Sequence, residues 1–138
     1  TGEAIGFGIT QIDNSKDSPT LEQFSSGMGI TRRFQNATNQ DVSSTEEVFA
    51  IYNLNEAAKK IIDSALSVLG KALAAFVDYL DPAKIVIGGG LWLGSEQYRS
   101  MVIKSYDENA SKRRKAPQIL SSTIGKNAAV IGAAIAAK

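Results

Sequence analysis

Apolar side chains recur at three- and four-residue steps through residues 56–80: Ala57, Ile61, Ala65, Val68, Leu69, Ala72, Phe76 and Leu80. Lys59, Lys60, Asp63 and Lys71 fall between them, so the stretch predicts one long amphipathic helix. Asn55 is placed to cap its start and Asp81-Pro82 to stop it. Lys84-Ile85-Val86-Ile87 follows at once and reads as a buried parallel strand that runs into Gly88-Gly89-Gly90. A helix from about Ser95 to Ala110, a strand over Gln118–Ser122 and an apolar helix from Asn127 to Ala137 complete the second half. In the first half, Ile5, Phe7 and Ile9 keep the period of two expected of a strand over residues 4–12. Thr20 and Gln23 have capping-box spacing and start a helix through Phe24, Met28 and Phe34. Asn36 to Ser43 reads as a loop, and Ser44 with Glu47 forms a second capping box ahead of a short helix over residues 45–52. Helix, strand, glycine turn, helix, strand, helix is the rhythm of an α/β layer.

Length and composition narrow the chemistry. The chain has 138 residues, the size of one ordinary domain with a single core, and 43 % of them are hydrophobic. Lys plus Arg number 15 against 14 for Asp plus Glu, so no global field draws the chain to nucleic acid or to a membrane. There is no Cys and no His, which excludes disulfides, thiol catalysis, imidazole acid–base chemistry and zinc sites built on those ligands. No apolar run approaches the roughly 18 residues of a bilayer span. The chain starts Thr1-Gly2-Glu3-Ala4, with neither a basic leader nor an initiator Met. The reading is a cytoplasmic protein, and a piece of a longer one.

The glycine run is the clearest candidate for chemistry. Glycines directly after a parallel strand lie at the carboxyl edge of the sheet, where open α/β sheets bind ligands. Without Cβ atoms, Gly88, Gly89 and Gly90 allow a ring or a phosphate to come against the main chain; the alternative is a tight turn that needs positive φ. The stretch Gly88-x-Gly90-x-x-x-Gly94 approaches a dinucleotide fingerprint, but residues 118–122 offer no carboxylate for a ribose. Gly70-Lys71-Ala72 is no Walker A motif. Glu22, in the first turn of its helix, either accepts hydrogen bonds from a polyhydroxylated ligand or simply complements the helix dipole. Lys112-Arg113-Arg114-Lys115 reads as a solvated face near a helix end, with no interleaved aromatics to suggest nucleic acid. Asn36-Ala37-Thr38 and Asn109-Ala110-Ser111 fit the glycosylation pattern by chance. The terminal helix is apolar nearly all round and is expected to be buried; in a fragment it would instead be a sticky, self-associating patch.

In order, these segments resemble the second half of a ROK-family protein, the group of sugar kinases and sugar-responsive repressors. Thr20-Leu21-Glu22-Gln23-Phe24-Ser25-Ser26-Gly27 is similar to the family's C-L-E-x-[YF]-x-S-G segment. Leu69-Gly70-Lys71-Ala72-Leu73-Ala74 with Leu80-Asp81-Pro82 is similar to its long helix and stop. Lys84 to Gly90 resembles its adenosine-side glycine motif, and Gly125 to Ala134 its closing G-x-x-A-G-x-x-G-A-A. The resemblance implies an actin-like ATPase (ribonuclease-H-like) lobe with long helices packed on a short, mainly parallel sheet. It also implies that Gly88, Gly89 and Gly90 flank the adenosine of ATP with Mg, that Glu22 bonds sugar hydroxyls, and that the protein is a homo-oligomer. Relative to the family's G-E-x-G-H, Glu3-Ala4-Ile5-Gly6-Phe7 places Ala4 at the sugar-binding Glu and Phe7 at the His. A one-residue gap instead puts Glu3 at that Glu. The family's zinc loop has no counterpart, and its catalytic Asp and phosphate loops would lie upstream of Thr1.

Three functions are compatible with this reading. The chain is the C-terminal lobe of a sugar kinase, inactive alone, whose parent passes a γ-phosphoryl group to a sugar hydroxyl. Alternatively it is the sugar-sensing domain of a NagC-like regulator that meets DNA through an upstream helix-turn-helix. The third is an interaction domain that has kept the fold and lost both ligands.

Overall fold

The computed structural model describes residues 12–13, 17–112 and 115–137. The expected strand at residues 4–12 lies outside them except for Ile12, whose N–H donates to the Pro19 carbonyl at 3.1 Å. The chain divides into two compact units, Thr1–Leu69 and Gly70–Lys138.

In the first unit, Thr20 and Gln23 form the expected capping box: Thr20 Oγ1 accepts the Gln23 N–H at 3.1 Å, and Gln23 Oε1 accepts the Thr20 N–H at 2.9 Å. The helix it starts is not continuous. α1 (Leu21–Ser25) ends at Ser26, which is extended, and α2 (Gly27–Thr38) begins there, with Ser26 Oγ accepting the Gly29 N–H at 3.1 Å. One serine therefore ends one helix and caps the next. The turn is tight because α1 lies against Gly29, where a Cβ would stand 2.3 Å from the Gln23 carbonyl oxygen. The break shifts the helical phase, so Met28, expected on the apolar stripe, is 75 % exposed. α2 also runs on past Asn36 into the expected loop, to a left-handed Asn39.

α3 (Thr45–Ala50) is capped by Ser44 Oγ, which accepts the Glu47 N–H at 3.3 Å. Only half of the second box forms: the Glu47 carboxylate turns to the N–H and hydroxyl of Ser43, and those bonds lower its pKa. α4 (Glu56–Leu80) matches the expected helix at both ends. Asn55 Oδ1 accepts the N–H groups of Ala57 and Ala58 at 2.9 and 3.0 Å. At the other end Asp81 takes a left-handed conformation (φ 48°) before Pro82. Ile30, Phe34, Val48, Ala58 and Ile62 are wholly buried in the first unit. Two side-chain bonds tie its elements together: Ser25 Oγ donates to the Ala65 carbonyl at 2.9 Å, and Thr45 Oγ1 to that of Gly27 at 2.7 Å.

The second unit is an α/β layer. β1 (Lys84–Ile87) and β2 (Gln118–Ser121) pair in parallel, Lys84 opposite Gln118 and Ile87 opposite Ser121. Ile85 and Ile119 pack on Ala74 and Val77 of α4 and on Tyr106 of α6 (Glu96–Asn109). The period of two turns Val86 to the other face, where it is 63 % exposed. The parallel direction was legible from the apolar run; burial of β1 on both faces is not found, because these contacts cover one face only. The short α5 (Gly90–Gly94) joins the glycine run to α6, and a single 3-10 turn leads from β2 to α7 (Ala128–Ala136). The expected burial of α7 is not met: Val130, Ile131 and Ile135 are exposed. Apolar residues ring this helix, so no single stripe selects a face for packing. Among the described residues, no helix is long and apolar enough to cross a membrane.

Candidate functional site

Both parallel strands end on glycine-bearing loops at the same edge. β1 runs into Gly88, Gly89 and Gly90; β2 runs into Ser122 and then Gly125. The ladder continues one step past the strands, with the Ser122 N–H donating to the Ile87 carbonyl at 2.8 Å. This is the carboxyl edge at which α/β sheets bind their ligands.

The three glycines are not equivalent. Gly89 has φ 103°, which a residue with a side chain adopts only under strain, so the turn itself requires that glycine. At Gly88 a Cβ would meet only Ser122 Cβ at 3.6 Å, an ordinary contact. At Gly90 it would meet nothing within 4 Å. Backbone conformation therefore explains the middle glycine, and open space lies beside both it and the one that follows. Gly125, with φ 67° and open space around it, closes the neighbouring loop. The loop is steadied by the Ile124 N–H, which donates to Ser122 Oγ at 3.3 Å.

α5 lies directly behind the glycine run. Trp92 is buried there, and its Nε1 donates to Ser121 Oγ at 3.0 Å, from α5 to the last residue of β2. Tyr98 meets the indole edge-on, with ring centroids 6.5 Å apart. Burial pushes the Tyr98 phenol up to about 12. Arg99 Nη1 donates to the carbonyls of Trp92 and Leu93 at 2.6 and 3.3 Å. Sequence reasoning missed Ser121, Ser122, Gly125 and Arg99 as parts of this edge. One signal was available: a glycine, Gly125, also lies past the second strand, after Ser122, Thr123 and Ile124.

Glu22 belongs to the first unit and sits at the exposed start of α1. Its helix is held in place by Arg33 of α2. Arg33 Nη1 donates to the Phe24 carbonyl at 3.1 Å, Nη2 donates to Ser64 Oγ at 2.8 Å, and the guanidinium lies 3.6 Å from the centre of the Phe24 ring. Burial lowers the Arg33 pKa. Glu3, the other candidate for sugar contact, lies outside the described residues. So do Arg113 and Arg114 of the basic run. Lys115 is described, and with Asp81, Pro82, Ala83, Pro117 and Gln118 it lines an open hollow of about 530 Å³ at the amino ends of the strands, away from the glycines.

Among the described residues, no group of three or more Asp, Glu, His or Cys side chains could hold a metal ion. The glycine edge itself presents main chain and hydroxyls, without a carboxylate. These described residues do not form a Mg site.

The matches to known proteins agree with this architecture. The model of the ROK family matches residues 17–138, across both units, and the chain belongs to that family. It is 25 % identical over 114 residues to an N-acetyl-D-glucosamine kinase of Histophilus somni, covering 83 % of this chain and 37 % of that protein. Among solved structures it matches the ROK hexokinase of Thermus thermophilus with a TM-score of 0.75 at 27 % identity, covering 86 % of this chain and 40 % of that one. The ROK glucokinase of Streptomyces griseus, in complex with glucose and AMPPNP, matches with a TM-score of 0.75 at 22 % identity, over 98 % of this chain and 51 % of that one. The fold is therefore the actin-like ATPase fold of ROK sugar kinases, helix-rich with a short parallel sheet. The chain spans well under half the length of the Histophilus relative.

Proposed function

We propose that the chain is the C-terminal lobe of a longer ROK-type sugar kinase, in which Gly88, Gly89 and Gly90 receive the adenosine of ATP and Glu22 accepts hydrogen bonds from sugar hydroxyls. The observation that carries the nucleotide assignment is the open space at Gly90, beside a Gly89 that the turn itself requires, at the carboxyl edge of two parallel strands. A flat base or a ribose fits against main chain there without meeting a side chain. The complex of the Streptomyces glucokinase with glucose and AMPPNP supports both ligand classes, and the kinase activity of the Histophilus relative supports a kinase over a sugar-sensing regulator. The match of the family model across both units supports treating them as parts of one lobe.

In the parent protein the sugar hydroxyl attacks the γ-phosphorus in line. The new P–O bond forms as the bond to ADP breaks, and the hydroxyl proton passes to a carboxylate base supplied by the parent. This chain's share is binding and orientation: main chain against the nucleoside, and the Glu22 carboxylate on the sugar.

Trp92, the one tryptophan, lies two residues beyond the run and reports on it. Its fluorescence is to be followed while Mg-ATP and Mg-ADP are titrated against the unaltered chain and against Gly90→Val. Gly90 is the better control than Gly89, because a Cβ at Gly90 meets nothing and needs no positive φ, yet enters the space assigned to the ligand. Saturable quenching that is lost in Gly90→Val is the expected result. A flat titration of the unaltered chain, or equal quenching in both, overturns the nucleotide assignment.

A further inference from the structure

On the nucleotide reading of the glycine edge, the shape of that edge depends on what holds α5 in place. α5 has five residues, too few to persist as an isolated helix, and its start at Gly89 has no side-chain cap. Its position must come from contacts outside itself. Among the described residues three side-chain contacts do this: Trp92 Nε1 on Ser121 Oγ, Arg99 Nη1 on the Trp92 and Leu93 carbonyls, and the Tyr98 ring on the indole. The first crosses from the element that follows the Gly88–Gly90 run to the end of the neighbouring strand. Ser121 stands opposite Ile87 in the sheet, and Ile87 is the residue immediately before the run. The chain thus leaves β1, passes through the glycines into α5, and is tied back by the indole to the strand beside its own starting point.

We propose that Trp92, Ser121 and Arg99 are positioning residues that hold the Gly88–Gly90 turn open for a nucleoside, with the Trp92–Ser121 hydrogen bond as the tie. The contacts divide the work. Arg99 secures the second half of α5, where its single Nη1 reaches both the Trp92 and Leu93 carbonyls. Trp92 fixes the distance between α5 and β2. Ser121 is itself exposed, so its hydroxyl contributes the bond and little packing. Loss of that bond would leave the buried indole N–H without its partner and release the exit of the turn. A looser turn must be ordered again when the ligand arrives, and affinity falls by that ordering cost.

The test compares Ser121→Ala, Ser121→Thr, Arg99→Lys and Gly90→Val in the 138-residue chain. Mg-ADP affinity, the Trp92 emission maximum and the thermal midpoint are measured for each. Ser121→Ala is expected to weaken Mg-ADP by roughly tenfold, the effect of about one lost hydrogen bond, and to shift Trp92 emission. Ser121→Thr keeps the hydroxyl and is expected to restore both affinity and emission to within about twofold of the unaltered chain. Arg99→Lys, a shorter-reaching ammonium in place of the guanidinium Nη1, is expected to fall between them. Simple destabilisation would lower the thermal midpoint of Ser121→Ala without this rescue pattern in affinity and emission. If Gly90→Val abolishes binding while Ser121→Ala binds as well as the unaltered chain, the tie has no positioning role and the nucleotide reading stands. Equal weakening in Ser121→Ala and Ser121→Thr also overturns the tie, because the hydroxyl would not be what matters. If the unaltered chain binds no Mg-ADP, the nucleotide reading falls and the tie's role falls with it.

Discussion

The two units bury their apolar residues to different degrees. In the first, Ile30, Phe34, Val48, Ala58 and Ile62 have no exposed surface, and hydroxyl bonds from Ser25 and Thr45 tie the helices to one another. In the second, Ala74, Val77 and Tyr106 form a core under one face of the sheet and Trp92, Tyr98 and Val102 are buried as well, while Val86 and the α7 residues Val130 and Ile135 stay exposed. Among its described residues, the first unit is held together by helices packed on one another. The second is a parallel layer, an arrangement that in proteins is normally covered on both faces. The candidate nucleotide edge lies on that second unit, where glycines and short loops have replaced packing side chains.

Four measurements break or sharpen this contrast. The largest effect is expected from Phe34→Ala, which removes a wholly buried ring from the first unit. A loss of about 3–5 kcal/mol by denaturant titration is expected; a loss under about 1 kcal/mol would remove the claim that this core is dense. Next is alkaline unfolding of the second unit. Burial holds the Tyr98 phenol at about 12 in the folded chain, against about 10 when unfolded. The unfolded state therefore loses its proton first. The contribution is whole below about pH 10, declines as pH rises, and reaches a loss of about 2–3 kcal/mol near pH 12. Tyr98→Phe should flatten that part of the curve, and an unchanged slope would contradict the burial assignment.

Third, Arg33→Met in the first unit should cost about 1–3 kcal/mol, because it removes hydrogen bonds to Phe24 and Ser64 from a guanidinium that also covers the Phe24 ring. Hydrogen exchange should then rise at the α1 amides ahead of the rest of the unit. Uniform exchange would show that α1 does not depend on this arginine. Smallest is Val130→Glu on α7, expected to change stability by no more than about 0.5 kcal/mol because the residue is 71 % exposed. A loss above about 2 kcal/mol would show that α7 is buried in solution.

Much of the fold was legible in the sequence where the signal is local. The α4 boundaries followed from three- and four-residue spacing, an Asn cap and an Asp-Pro stop, all of which act within a few residues. The parallel strand followed by glycines was readable for the same reason, as was the capping box at Thr20. The break at Ser26 was harder, because the serine could sit inside a helix or cap one. What decides it is the approach of Gly29 to the Gln23 carbonyl, a contact between helices.

The candidate site divides along the same line. Gly88, Gly89 and Gly90 announce themselves in sequence, since three adjacent glycines after an apolar strand have few structural uses. Sequence could not separate the glycine that the turn requires from the ones it does not. That distinction depends on the positive φ at Gly89, a property of the folded backbone. Ser121 and Arg99 carried no signal at all, because their role comes from partners 29 and 7 residues away along the chain. By itself the sequence determined the long helix, its stop, the order of the α/β elements and the family resemblance, because propensity, capping and periodicity are short-range. Only the tertiary structure decided where the helix breaks, which face of the sheet is covered and which side chains brace the glycine turn, because these depend on contacts between residues far apart in sequence.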